Sequence, residues 1–159
     1  AGAHALEFVR DRLFGPLGMQ SATIETDARG TLVGSSYMYA TARDWARYGQ
    51  FLLQQGVWNG QALLPAGYVK LMVTPVAASG GQYGRGQVWL WGSDPARPGE
   101  NPDLQFGLPG DTFWMEGHDG QSIAIIPSDG LVVVRLGLTP SREGYRPQAL
   151  VQALMRAAP

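Results

Sequence analysis

The hexapeptide Glu116-Gly117-His118-Asp119-Gly120-Gln121 is the densest polar constellation of the chain, set between two apolar runs that read as β-strands. Its two glycines allow a ligand to approach the backbone closely, or a bulge that re-aims an N–H. Glu116 and His118, two positions apart, would share one strand face, an arrangement a metal could use. Partners for a metal are scarce: His4 is the only other imidazole and there are no cysteines, whereas transition-metal sites usually take two or more His or Cys ligands. The same residues also read as a glycine-kinked hairpin with solvated polar side chains.

Familiar nucleophile arrangements are missing. No serine is followed three residues later by lysine, and no tyrosine is followed two positions later by asparagine. Gly120-Gln121-Ser122-Ile123-Ala124 comes nearest to a nucleophile elbow, but an elbow requires a helix after its serine. Here Ile125-Ile126-Pro127 continues a strand.

The elements that must position the hexapeptide follow from periodicity. Leu6, Val9 and Leu13 recur at helical spacing and predict an amphipathic helix over about 3–14, stopped by Gly15-Pro16. A polar stretch runs to Gly34. Thr41 with Asp44 three positions on forms a capping box, which assigns Asp44 to helix capping; Trp45, Tyr48 and Leu52 mark the apolar face of a helix reaching about Gln55 and ended by Gly56. Asn59-Gly60 is a two-residue hairpin signal, and Pro65 starts a third helix carrying Val69, Met72 and Val73. Beyond Gly80 the texture turns to β. Strands are expected at Gln87–Trp91, Thr112–Glu116, Gln121–Ile126 and Leu131–Leu138, with a turn at Pro127–Gly130 that makes the last two antiparallel. Gly92 to Gly110 reads as a long loop, and a final helix from Gln148 to Ala157 places Leu150, Val151 and Leu154 on one side. Helices, then an antiparallel meander, then a helix able to pack on it predict an α/β protein of α+β layers, an antiparallel sheet flanked by helices.

Composition narrows the partners. The chain has 159 residues, enough for one domain, and a formal net charge of −1, with Lys70 as its only lysine. Without clustered positive charge nucleic acid is excluded as a partner. No apolar stretch approaches the roughly 18 residues needed to cross a bilayer, so no membrane partner is expected and the reading is of a soluble chain whose compartment stays open. The uncapped start at a helix predicts a fragment of something longer.

Longer segments carry a resemblance. Tyr83 to Trp91, Phe113 to Gln121 and Pro127 to Gly137 resemble the C-terminal part of β-lactamase-related serine hydrolases, a superfamily of class C β-lactamases, carboxylesterases and 6-aminohexanoate-dimer hydrolases. Phe14-Gly15-Pro16-Leu17-Gly18-Met19 resembles the family's F-x-P-L-G-M segment, Ser36 to Phe51 its active-site loop leading into a helix, and Asn59 to Pro65 the usual sequel. The resemblance covers essentially the whole chain, but only the latter portion of such an enzyme.

The resemblance implies the C-terminal portion of a β-lactamase/transpeptidase-like fold, with residues 1–159 one segment of a single domain. It implies a serine activated by lysine and tyrosine that attacks a carbonyl and forms an acyl-enzyme, with two backbone N–H groups holding the oxyanion. His118-Asp119-Gly120 then takes the place of the family's K-T-G or H-x-G triplet, Gly120 leaves room for substrate along the strand, and Gln121 N–H is one oxyanion donor. Ser36, Tyr37, Tyr39 and Asp119 fall where the family lines its substrate pocket. Histidine in place of lysine weakens any demand for a substrate carboxylate, because an imidazole, unlike an ammonium, is largely neutral near pH 7. This favours a small ester or amide over a β-lactam. No cofactor and no metal are implied. The nucleophile belongs upstream of residue 1, so the chain alone is expected to be inactive and to pair with that N-terminal segment or a second chain. A non-catalytic binding module that has lost the nucleophile is the alternative.

Overall fold

The structure is a computed structural model that describes residues 4–92 and 99–157. Its centre is a three-stranded antiparallel meander, β5 (Phe113–Glu116), β6 (Ser122–Ile126) and β7 (Leu131–Arg135), in the order β5-β6-β7. The register sets Trp114 opposite Ala124 and Ala124 opposite Val133, and at one end Glu116 opposite Ser122 and Ser122 opposite Arg135. Alternation along each strand then divides the sheet into two faces.

One face, with Phe113, Ile123, Ile125, Val132 and Val134, packs with the helix α3 (Ala42–Leu53) and its buried Phe51 and Leu52. Gly49 allows the close approach, since a Cβ there would lie 2.5 Å from Val132 Cγ1. The opposite face, with Trp114, Ala124, Ile126 and Val133, packs with Val151 and Met155 of the C-terminal helix α6 (Pro147–Ala157). This is the expected mixed architecture, an antiparallel sheet between helical layers.

Half of the expected capping box forms: Thr41 Oγ1 accepts from Asp44 N–H at 3.3 Å, but Thr41 N–H donates to Ser21 Oγ at 2.9 Å and not to the Asp44 carboxylate. Asp44 is buried and accepts from the amide and hydroxyl of Ser21 at 2.9 and 2.5 Å and from Arg47, which ties the first segment to α3.

The first helix does not stop at Gly15-Pro16. It runs from α1 (Ala5–Val9) through a π-type turn, Arg10–Phe14, into α2 (Gly15–Leu17) and ends at Gly18, φ 68°. The wider turn lets Gly15 N–H reach Arg10 O, so Pro16 is tolerated; Met19 N–H to Phe14 O and Gly18 N–H to Gly15 O then close the end in a Schellman pattern. The polar stretch before Thr41 contains a ribbon, β1 (Thr23–Ile24) with β2 (Met38–Tyr39). The Asn59-Gly60 hairpin forms as β3 (Val57–Trp58) and β4 (Gln61–Ala62), whereas the third helix is short, α4 (Tyr68–Met72).

The strand expected over 87–91 shrinks to a single position: Trp89 exchanges both backbone bonds with Trp114, at 2.9 and 2.7 Å. Its neighbours are committed to a tight loop in which Gly84 and Gly86 lie on Met72, where a Cβ would sit 2.2 Å from Met72 O and 2.5 Å from Met72 Cβ respectively. Of the long loop over 92–110, residues 93–98 lie outside the described residues, and the remainder holds α5 (Pro102–Gln105), capped by Asn101 Oδ1 at 2.9 Å from Asp103 N. Asp103, buried, accepts from Trp114 Nε1 at 2.7 Å, Gly92 N at 3.2 Å and Gln148 Nε2 at 3.3 Å, linking α5, β5 and α6. Among the described residues no helix is long and apolar enough to cross a membrane.

Candidate functional site

The β5–β6 connection holds the hexapeptide. Asp119, at φ 52° and ψ 43°, and Gly120, at φ 79°, place two successive residues in the left-handed region and fold the chain back sharply. A side chain at Gly120 would put Cβ 2.4 Å from Thr139 O, so glycine is required there twice over. Gly117 N–H donates to Gln121 O at 2.8 Å, and Thr139 N–H to Asp119 O at 2.8 Å, which ties the turn to the segment after β7.

Gln121 N–H stands outside the β5–β6 ladder, which begins at Ser122. It donates to His118 O at 3.4 Å, beyond the usual N–H···O range, while Gln121 Nε2 reaches the same carbonyl at 3.1 Å. The His118 side chain is 89% exposed, with Nε2 3.3 Å from Asp119 Oδ2.

Beside this turn runs a cleft of about 330 Å3. One wall is Glu116 to Ser122, and the other is the segment from Pro140 to Pro147 with Arg142, Tyr145 and Arg146. The cleft therefore opens at the end of the α6-facing sheet surface, where the apolar row gives way to Glu116, Ser122 and Arg135. Burial raises the Tyr145 phenol above its ordinary range, and the guanidinium of Arg135, 4.0 Å from the ring centroid, acts in the opposite direction. Ser122 is buried within β6 and followed by strand, so it makes no nucleophile elbow.

The structure brings His118, Asp119, Gly120 and Gln121 together on one wall. It does not bring Ser36, Tyr37 or Tyr39 to that cleft; they lie on and before β2, with Tyr37 at φ 63° and both tyrosine rings about half exposed. Sequence reasoning missed the second wall, because Ser141 to Pro147 reaches the turn only through tertiary packing; the run of arginines and a tyrosine just after a strand was its one signal.

A family model described as Beta-lactamase matches residues 1–154, and the chain belongs to this family of β-lactamase-related serine hydrolases. Among solved structures it is similar to a Bacillus anthracis protein titled a candidate 6-aminohexanoate-dimer hydrolase, at 26% identity and TM-score 0.66 over 94% of this chain and 37% of that one. It is also similar in fold to a β-lactamase from Mycobacterium bovis, at 17% identity and TM-score 0.61 over 95% of this chain and 54% of that one. An uncharacterized protein of Alkalihalophilus pseudofirmus is 30% identical over 101 residues, 62% of this chain and 29% of the relative. The chain thus spans between under a third and about half of the length of these relatives.

Proposed function

We propose that the chain is the C-terminal part of a single serine hydrolase domain that cleaves a small ester or amide through an acyl-enzyme. In this reading the serine is supplied by an N-terminal segment of the same protein or by a second chain. This chain contributes one oxyanion donor, the Gln121 N–H, and the walls of the pocket. The observation that carries the reading is the position of that amide. It lies off the ladder, next to the cleft, at the end of the left-handed turn formed by Asp119 and Gly120.

An N–H whose internal bond is as long as 3.4 Å keeps most of its capacity for a stronger acceptor. A carbonyl oxygen gaining negative charge in the acylation transition state is such an acceptor, and removal of one donor of this kind costs about 10²–10³ in kcat. His118 and Asp119 act in this proposal at the mouth of the cleft, where the exposed imidazole meets the leaving group or its solvent. Ser36, Tyr37 and Tyr39 lie away from this cleft and take no part in the proposed contact.

The test compares residues 1–159 alone with the whole polypeptide that carries them, using a p-nitrophenyl ester and nitrocefin. The proposal expects turnover only from the whole polypeptide, faster on the ester, and abolished by a serine-directed phosphonate that labels residues outside 1–159. Turnover by the chain alone, with the label on it, overturns the proposal.

A further inference from the structure

Arg135 ends β7 directly opposite Ser122, and its side chain turns back toward the hexapeptide. Its Nη1 donates to Gly120 O at 3.1 Å and to Gly137 O at 2.6 Å, and its Nη2 to Thr139 Oγ1 at 2.6 Å. The guanidinium carbon lies 4.0 Å from the Tyr145 ring centroid. Gly137 leaves it room, since a Cβ there would fall 2.6 Å from the guanidinium. Four groups from three segments thus hold one cation in one place, half-buried behind the cleft wall.

Gly120 O and Gln121 N–H belong to the same peptide plane, and there are no cis peptides among the described residues. In a trans peptide the carbonyl and the N–H point in opposite directions. A group that fixes Gly120 O therefore fixes the direction of Gln121 N–H. We propose that Arg135 is the positioning residue of the Gly120–Gln121 peptide, holding the Gln121 N–H beside the cleft, where its long bond to His118 O can be exchanged for one to an oxyanion. The proposal deepens the hydrolase reading above and rests on it.

Two effects follow from the same contact. The first is orientation: Asp119 and Gly120 sit in a left-handed turn that an unanchored loop would leave by rotating this peptide. The second is polarisation. A carbonyl that accepts from a cation draws charge through the amide and strengthens the donor at the other end of the plane. Lysine cannot take this place, because the site uses the planar fork for three acceptors and stacks its flat face on Tyr145.

The experiment uses the whole polypeptide with ¹⁵N-glutamine and ¹⁵N-alanine labels, as wild type, Arg135→Ala, Arg135→Lys and Thr139→Val. Hydrogen exchange at the Gln121 amide is read against the Ala124 amide at the centre of β6, which reports any general loosening. Arg135→Ala is expected to change Gln121 exchange at least tenfold with Ala124 unchanged, and to lower kcat on an ester by about 10²–10³ at nearly constant KM, the cost of losing one oxyanion donor. Millimolar guanidinium should restore both; Arg135→Lys should fall in between, and Thr139→Val, which removes one of the three acceptors but keeps the bond to Gly120 O, should shift both by less than Arg135→Ala. Gln121 exchange that is the same in Arg135→Ala as in wild type overturns the proposal, as does an equal loosening of Ala124 without guanidinium rescue in Arg135→Ala and no separate Gln121 effect in Arg135→Lys. The exchange readout needs no substrate. Absence of turnover by the wild-type polypeptide would therefore count against the hydrolase reading alone.

Discussion

The two faces of the central sheet are built from the same three strands and serve different ends. On the α3 side the inward residues are apolar along the strands, from Phe113 through Ile125 to Val132, and Gly49 brings the helix down onto them. On the α6 side the apolar row of Trp114, Ala124 and Val133 stops one residue pair short, and Glu116, Ser122 and Arg135 occupy its end. The α6 layer is also held by polar bonds, through buried Asp103 and Gln148, where the α3 layer is held by packing. A strand whose alternation changes chemistry at one end can anchor a core and a site at once. The cleft opens where the apolar row ends.

Truncating a core aromatic on either face of the sheet destabilises the molecule most. Phe51→Ala and Trp114→Ala should each cost about 3–5 kcal/mol in denaturant unfolding. Trp114→Ala should be the worse, because it also strips the 2.7 Å bond from buried Asp103. Equal losses would mean that the polar bond adds nothing to the α6 side.

A smaller effect separates two carboxylates by pH. Burial disfavours the charge of Asp44, but the Ser21 hydroxyl, the Ser21 amide and Arg47 outweigh it and hold its carboxyl below the ordinary value of 3.8. The folded state then binds that proton less tightly than the unfolded state. Its contribution is present above the ordinary value and lost as pH falls through the folded one. Asp103 runs the other way: burial raises its carboxyl, and the bonds from Trp114, Gly92 and Gln148 only partly offset it. Its folded state binds the proton more tightly, so the stability from this group is present below the ordinary value and is lost as pH rises through the raised one. Urea midpoints measured from pH 3 to 8 should therefore show Asp44→Asn losing less than wild type on acidification and Asp103→Asn losing less than wild type as pH rises. Parallel curves would contradict the assignment.

The legible parts of the sequence were those whose signal is local. Thr41 and Asp44 announced the α3 cap, Asn59-Gly60 its hairpin, and the apolar runs around the hexapeptide the β5 and β6 strands. Gly15-Pro16 misled because a π turn just ahead of the proline absorbed its missing N–H. Trp89 and its neighbours carried strand-like residues, but Val88 and Leu90 bond back to Gly84 and Gln82, and Trp89 alone pairs with β5. Asn101-Pro102 carried a start signal for α5, a capping residue ahead of proline, inside what read as loop. In the site, the turn residues were visible as a motif. Arg135 and the Ser141–Pro147 wall were not, since they meet the turn only after β7 has folded back beside β6.

A transition-state analogue reports on the Gln121 amide. A crystal structure of the whole polypeptide acylated or phosphonylated at its serine should place an oxygen of the adduct about 2.7–3.1 Å from Gln121 N, with the bond to His118 O given up. An adduct oxygen held by other donors, with Gln121 N still directed at His118 O, would contradict the account.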